Sequence, residues 1–173
     1  MSTEIEAKLN VKSHKKVIAR LTELGAEFLE EQLQVDTYFD DAGATFKNSD
    51  RALRLRRQRT DDQEKIFLTY KGAGEKSKFK KRQEVEIEVS DADSARELLS
   101  ALGYEQVLVL EKKRRTWRVG ECEVSLDELP LLGGFVEIEG PDEGIIADVQ
   151  RDLGLSDLPH ITKSYAFLMS ELK

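Results

Sequence analysis

Apolar and charged residues alternate in segment after segment of this chain, and that alternation limits the folds open to it. Residues 4–11 read EIEAKLNV, with Glu4, Glu6 and Lys8 at even positions and apolar residues at the odd ones. Alternation with a period of two is typical of a β-strand whose two faces meet different surroundings. The apolar face can pack on a core, so the charged face is the one that needs explaining.

The same division recurs along the chain. Strands are predicted near 3–12 and 26–39 and then in RALRLRRQ, KIFLTYKG, KRQEVEIEV, YEQVLVLEKKRRTWRV, CEVSLDEL and GFVEIEG. In each later strand the apolar residues share one face and charged residues lie on the other. These charged residues are Arg54, Arg56, Lys71, Arg82, Glu84, Glu86, Lys112, Arg114, Glu123, Asp127, Glu137 and Glu139. A one-residue slip of register in the sixth strand would exchange Lys112 and Arg114 for their neighbours Lys113 and Arg115.

Four helices are predicted, beginning near positions 13, 91, 141 and 162. Ser13 is expected to cap the first helix and Thr162 the last, and Pro141 opens the third. The segment DAGATFKNSD, which follows the second strand, is expected to be a loop.

Two α+β architectures are compatible with eight strands that each have one apolar and one charged face. An open antiparallel sheet could place helices on its apolar face and leave its charged face to water. Alternatively, the strands could close into a barrel, a tunnel with a charged lumen and helices packed on the outside. We favour an eight-stranded antiparallel barrel, closed or nearly closed, because closure removes both exposed edges. At 173 residues the chain is expected to form a single domain over 1–173.

Composition narrows the function. Charged residues make up 35% of the chain, the net charge is −7 and the sequence pI is about 5.1, which argues against a general nucleic-acid binder. Cys122 is the one cysteine, so no intrachain disulfide can form, and a reducing compartment fits. Neither an apolar leader nor a run of 18 apolar residues is present. We therefore expect a cytoplasmic protein with neither nucleic acid nor membrane as partner.

The charged positions fall into two chemical groups. The acids that share the charged parity are Glu4, Glu6, Asp127, Glu137 and Glu139, and the bases are Lys8, Arg54, Arg56, Lys71, Arg82, Lys112 and Arg114. Clusters of oxygen ligands suit hard divalent ions such as Mg²⁺ or Mn²⁺, and no His or Cys cluster supports zinc.

Several cations directed at one space would bind a compact polyanion, and acids opposite them describe a site for a nucleotide or another triphosphate. No Gly-rich phosphate loop opens a helix, so a P-loop fold is excluded. The simpler alternatives are a solvated strand face and cross-strand pairing of the bases with glutamates.

Short motifs in a fixed order add a resemblance to a known family. EIEAK, ALRLR, TYKG, RQEVEIE, KKR, SLDELPLLGGFVEIEG and TKSY follow one another along essentially the whole chain. The sequence resembles the CYTH superfamily of triphosphate tunnel metalloenzymes, which includes class IV adenylyl cyclases and thiamine triphosphatases. The resemblance implies an eight-stranded tunnel that binds a triphosphate with two divalent ions, Mg²⁺ or Mn²⁺.

The resemblance also implies roles for individual residues. The catalytic residues would be Glu4, Glu6, Asp127 and Glu137, of which all four, together with Glu139, would bind metal. Phosphate oxygens would be bound by Lys8, Arg54, Arg56, Lys71, Arg82, Lys112 and Arg114, and by Lys163 in the C-terminal TKSY motif.

Three functions remain open at this point. In a cyclase the ribose 3′-hydroxyl of ATP attacks the α-phosphorus, and cyclic AMP and pyrophosphate form; in a triphosphatase water attacks the terminal phosphorus of inorganic triphosphate, thiamine triphosphate or a nucleotide. The third is a binder without enzymatic activity, which would have little use for the metal-type carboxylates. The spacing of Asp127 and Glu137 and the TKSY tail look more like the cyclase branch. Whether the chain forms a homodimer is left open.

Overall fold

Eight β-strands form a closed barrel in a computed structural model, which describes residues 1–172. The strands are β1 Ser2–Val11, β2 Glu27–Asp40, β3 Ala52–Arg59, β4 Glu64–Lys71, β5 Lys80–Glu88, β6 Glu105–Val119, β7 Cys122–Leu129 and β8 Gly133–Glu139. Around the barrel their order is β1-β5-β4-β3-β2-β6-β7-β8, and neighbours such as β1 and β8 run antiparallel. The predicted α+β barrel is confirmed, and its charged lumen stays a prediction.

Residues 1–172 also form five helices. They are α1 Lys15–Glu23, α2 Thr45–Asn48, α3 Ala92–Ala101, α4 Glu143–Asp152 and α5 Tyr165–Ser170. The side chains of Asp91, Asp142 and Ser164 cap α3, α4 and α5 by accepting a backbone N–H three residues later. Among residues 1–172, no helix has the length and apolar character needed to cross a membrane.

Two predicted caps were wrong. Ser164, not Thr162, caps α5. His14, not Ser13, is the residue before α1, and its side chain makes no capping hydrogen bond; the Ser13 hydroxyl accepts the Lys15 backbone N–H at 3.2 Å. The position of His14 is fixed by a tertiary contact, since its buried ring donates from Nε2 to the Phe135 carbonyl at 3.0 Å.

The segment expected to be a loop contains α2. The buried carboxylate of Asp40 accepts the backbone N–H groups of Phe46 and Lys47 at 2.9 Å each. A side chain at the end of β2 therefore satisfies donors at the start of a one-turn helix, which local sequence patterns do not reveal.

The chain divides into two compact units, each assembled from three segments. Unit 1 comprises residues 1–3, 32–75 and 82–111, and unit 2 comprises residues 4–31 and 76–81 and the chain from Lys112 onward.

Unit 2 contains the larger apolar core. Helices α1 and α4 pack on one face of β1, β7 and β8, and the buried residues include Leu9, Leu21, Val124, Leu126, Val136, Ile138 and Ile146. Charged residues occupy the alternate positions of the same strands, where the register places Lys8 opposite Glu137 and Glu6 opposite Glu139. The charged parity therefore lies on the face away from these helices, as the alternation predicted.

Unit 1 has a smaller core, in which α3 packs its Ala92 and Leu99 against Phe39 and Leu55. The apolar parity of β5 is not fully covered, because Val85 and Ile87 are 41% and 54% exposed. The helices on the outside of the barrel therefore do not cover the whole apolar face of this strand.

We expect the substitution Leu21→Ala to lower the free energy of unfolding by about 2–5 kcal/mol, because Leu21 is fully buried between α1 and the strands. Leu24→Ala, at the exposed end of the same helix, should cost less than about 1 kcal/mol. Urea denaturation monitored by circular dichroism measures both, and equal losses would contradict the packing of α1 on the barrel.

Candidate functional site

Charged side chains, most of them buried, form one cluster in each unit. The lysine–carboxylate cluster of unit 2 consists of Glu6, Lys8, Lys80, Lys112, Arg114, Asp127, Glu137 and Tyr165. The arginine cluster of unit 1 consists of Asp36, Asp50, Arg54, Arg56, Thr69, Lys71, Arg82, Glu84 and Glu86.

Lys8 is a centre of the lysine–carboxylate cluster and is only 2% exposed. Its Nζ lies 3.8 Å from Glu6 Oε1 and 3.6 Å from Glu137 Oε1, and it donates to the Lys163 carbonyl at 3.2 Å. Burial, together with the nearby Lys80 ammonium, lowers the pKa of Lys8 to about 8.

Lys80 is a member of this cluster that the sequence prediction missed. Its Nζ donates to Glu6 Oε1 at 2.8 Å, and the side chain is buried. The predicted strand began at Lys81, one residue too late. The signal was present, since Lys80 shares its parity with Arg82.

Asp127 receives more hydrogen bonds than a carboxylate on a solvated strand would. Arg114 donates to it from both Nε and Nη2, Lys112 Nζ donates at 3.1 Å and the Tyr165 hydroxyl at 2.9 Å. Arg114 Nη2 also donates to Glu137. The predicted register of β6 is confirmed, because Lys112 and Arg114 share the buried carboxylates while Lys113 pairs with Glu31 instead.

The electrostatic field of the cluster favours ionised acids. Burial alone would raise the pKa of Glu137, but Arg114, Lys112, Lys8 and Lys80 hold that pKa well below its usual range. The same balance, dominated by Arg114, lowers the pKa of Asp127. Both groups are therefore carboxylates at neutral pH.

Tyr165 joins the cluster from the start of α5, and no role was predicted for it. Its ring centroid lies 4.2 Å from the Lys8 ammonium and 4.8 Å from that of Lys112, both cation–π distances. Burial and the carboxylates of Glu137 and Asp127 raise the pKa of Tyr165 well above 10, so the hydroxyl stays a donor. Only the TKSY motif pointed to this residue.

In the arginine cluster, Arg56 forms the tightest ion pair. Its Nε and Nη2 donate to the two oxygens of Asp36 at 2.7 and 2.8 Å, a bidentate geometry between neighbouring strands. Lys71 of β4 also pairs with Glu84 of the neighbouring strand β5, with its Nζ 2.8 Å from the carboxylate. Cross-strand pairing, the simpler alternative, therefore describes a real part of what these bases do.

Arg54 and Arg82 are held more loosely. Arg54 Nη2 donates to Thr69 at 3.2 Å and lies 3.5 Å from Glu86, and Arg82 Nη2 lies 3.5 Å from Asp50. The Nε atoms of both arginines are buried and have no hydrogen-bond acceptor among the described residues. A buried guanidinium N–H without an acceptor costs about 1–3 kcal/mol of stability. An anion that accepts these hydrogen bonds would remove that cost, so each of the two arginines can donate to an anionic partner.

Three predicted residues lie at the margins of these clusters. Glu4 is half-buried, and Glu139 is exposed at the end of β8, opposite Glu6 in the register. Lys163 is exposed, and its ammonium lies 4.2 Å from the Phe167 ring centroid, so its backbone carbonyl, not its charge, contacts Lys8.

The carboxylates fit a hard divalent ion in chemistry, since oxygen ligands are what Mg²⁺ and Mn²⁺ prefer. Within residues 1–172, however, no three acidic, His or Cys side chains lie close enough together to form a metal site as they stand. Glu6 and Glu137 are paired with ammonium and guanidinium groups instead. Binding a metal ion therefore requires these carboxylates to exchange a cationic partner.

Comparison with known proteins gives a family match over residues 2–165, to a family described as the CYTH domain. A Methanocaldococcus jannaschii protein named "Putative adenylate cyclase MJ0240" is 31% identical over 162 residues, which cover 93% of this chain and 88% of that protein.

Solved structures resemble the whole chain. The PH1819 protein of Pyrococcus horikoshii superposes with a TM-score of 0.85 at 30% identity, covering 98% of this chain and 99% of the other. The Hippeastrum protein HpAC1 is described as a putative adenylyl cyclase that reveals a dominant triphosphatase activity. It superposes with a TM-score of 0.74 at 18% identity, covering 98% of this chain and 96% of the other. The second likeness shows the fold alone.

We expect the buried Asp36–Arg56 pair to stabilise the fold strongly. Asp36→Asn should lower the free energy of unfolding by about 3–5 kcal/mol, because the guanidinium is left buried without its charge partner. A double-mutant cycle with Arg56→Met should give a coupling energy of about 2 kcal/mol or more.

The exposed pair Arg57–Glu64 provides the control, because Arg57 follows Arg56 on β3 with the opposite parity and pairs with Glu64 of β4. Its coupling energy should not exceed about 1 kcal/mol. Additive effects of the Asp36 and Arg56 substitutions would show that the pair adds nothing to stability.

Proposed function

Because this chain belongs to the CYTH domain family, we propose that it is a divalent-metal-dependent enzyme that acts on a triphosphate, converting ATP to cyclic AMP and pyrophosphate. The name of the Methanocaldococcus jannaschii relative, "Putative adenylate cyclase MJ0240", supports this choice of reaction. The resemblance of the TKSY tail to the cyclase branch supports it as well.

The observation that carries the proposal is the pair of buried arginines with unsatisfied Nε–H groups, Arg54 and Arg82. A chain that needed these charges only for its fold would gain stability by satisfying both donors, as Asp36 does for Arg56. Phosphate oxygens are the acceptors that best match a guanidinium group.

The basic residues would bind and orient the phosphates. Those proposed for this role are Lys8, Arg54, Arg56, Lys71, Arg82, Lys112, Arg114 and Lys163. Their contributions should differ, because Asp36 already engages Arg56 through Nε and Nη2. We expect Arg54 and Arg82 to contribute more to affinity, and Arg56 more to stability.

The carboxylates proposed to hold the divalent ion are Glu4, Glu6, Asp127, Glu137 and Glu139. When bound, such an ion would neutralise phosphate charge and make an oxygen nucleophile more acidic. Asp127 has an additional role in the protein itself, since its oxygens hold Arg114, Lys112 and Tyr165 in place. It accepts four hydrogen bonds from these three residues, two of them from Arg114, so it is the acid that would lose most contacts in binding metal.

Hydrolysis is the alternative reaction, and the same residues would serve it. In a cyclase the phosphates must present the α-phosphorus to the ribose 3′-hydroxyl, whereas in a triphosphatase the terminal phosphorus must face water. HpAC1, described with a dominant triphosphatase activity, shares only the fold with this chain. The nature of the product therefore decides between the two.

We expect purified protein with ATP and Mn²⁺ to form cyclic AMP and pyrophosphate, measured by chromatography beside parallel reactions with inorganic triphosphate and thiamine triphosphate. Glu6→Gln should reduce turnover at least about 100-fold, because the substitution removes a ligand charge from the proposed metal site. Glu97→Gln, on the exposed surface of α3, should leave it unchanged. Orthophosphate as the main product would make the protein a triphosphatase, and full activity of the Glu6 variant would refute the assigned site.

We expect the Kd for inorganic triphosphate to rise about tenfold or more in Arg54→Gln and in Arg82→Gln, because each variant removes a charge-assisted hydrogen-bond donor. Isothermal titration calorimetry measures this affinity without requiring turnover. Arg57→Gln is the matched control, since Arg57 lies on the same strand as Arg54 but is exposed and pairs with Glu64. Equal effects of the Arg54 and Arg57 substitutions would contradict the assignment.

A further inference from the structure

The Glu6 carboxylate, a proposed metal ligand, is already in contact with a cation of the chain itself. Lys80 Nζ donates to Glu6 Oε1 at 2.8 Å, and both side chains are less than 10% exposed. Neither the alternation of β1 nor the resemblance assigned a role to Lys80. The pair joins the first residue of β5 to the middle of β1, and both lie within unit 2.

This arrangement places two ammonium groups around one carboxylate oxygen. Lys8 Nζ lies 3.8 Å from the same Glu6 Oε1, and the proximity of Lys80 contributes to the lowered pKa of Lys8. Two like charges in a buried setting repel each other, so each is retained there by the carboxylates. The buried charge of the Glu6 carboxylate is therefore compensated only while its cationic neighbours stay in place.

We infer that Lys80 is a placeholder for the divalent ion: it neutralises Glu6 in the free protein, is displaced when the ion binds Glu6, and then binds a phosphate oxygen of the substrate. The inference rests on the proposed function, because it concerns the same metal and the same triphosphate. Lysine suits such an exchange, since its ammonium is a point charge on a flexible four-carbon stem that can move while the strand stays fixed.

Two consequences follow for binding. The ion must compete with a buried ion pair, so the free protein binds it more weakly than the carboxylates alone would allow. Once Lys80 has left Glu6, a polyanion stabilises the released ammonium, so the ion and the triphosphate favour each other's binding. Lys80 thereby contributes to a protein that holds metal tightly only together with substrate.

The next residue, Lys81, provides a matched control. It carries the same charge but lies on the opposite parity of β5, where its Nζ is 2.8 Å from Glu143 of α4. Lys80→Gln and Lys81→Gln change the net charge equally, so a difference between them reports the contact with Glu6. Lys80→Met is a second variant, which removes the charge but keeps an unbranched apolar stem of similar length, so that the packing of the stem is preserved.

The first measurement is the Kd of Mn²⁺ for the protein without nucleotide, by calorimetry or by electron paramagnetic resonance of free Mn²⁺. We expect the Lys80 variants to bind Mn²⁺ at least about threefold more tightly than the unsubstituted protein, because a competing cation is gone. Lys81→Gln should match the unsubstituted protein. Unchanged or weaker Mn²⁺ binding in folded Lys80 variants, with melting curves as the check of folding, would overturn the inference.

The second measurement is the Kd of inorganic triphosphate at saturating Mn²⁺. Here the Lys80 variants should bind about tenfold more weakly, because the released ammonium is missing, and unchanged affinity would overturn the phosphate-binding half of the inference. These measurements separate this inference from the proposed function. If the Lys80 variants bind Mn²⁺ more tightly but the protein turns over no triphosphate, only the proposed enzymatic activity is refuted. If the protein is active but the Lys80 variants bind Mn²⁺ as the unsubstituted protein does, only the placeholder role of Lys80 is refuted.

Discussion

Charge buried on one face of the strands is the constraint on which the rest of this structure depends. An ion removed from water loses several kcal/mol of hydration unless partners replace the water, and each cluster meets this cost with named contacts. Asp127 is the most demanding case, since it is completely buried and engages Arg114, Lys112 and Tyr165. Its requirements fix the positions of β6 and of the first turn of α5 together.

The two clusters meet the constraint in different ways. In the arginine cluster the Asp36–Arg56 pair is close to saturated, while Arg54 and Arg82 retain unsatisfied donors. In the lysine–carboxylate cluster the carboxylates are held ionised by surrounding ammonium and guanidinium groups. Within the arginine cluster, the satisfied and the unsatisfied guanidinium donors thus belong to different residues.

Much of the architecture was predictable because alternation is a strong local signal. A period of two fixes which side chains share a face, so Lys112 and Arg114 were predicted on the charged face, with a one-residue slip left open. The structure places both beside the buried Asp127 carboxylate. What failed depends on contacts between distant residues. Asp40 caps α2 from the end of β2, His14 is fixed by the Phe135 carbonyl, and Lys80 was lost to an error of one residue in a strand boundary.

The pairing of β1 with β8 has a consequence for how the protein is made. Glu6 pairs with Glu139, so the ribosome must synthesise nearly the whole barrel before this seam can form. At about 5–20 residues per second, β1 waits for roughly 7–27 s with one edge unpaired. Exposed strand edges invite association with other nascent chains, and contacts between distant residues form slowly. The alternate charges on β1, which are proposed to bind metal and phosphate in the finished protein, also oppose such association while that edge is unpaired.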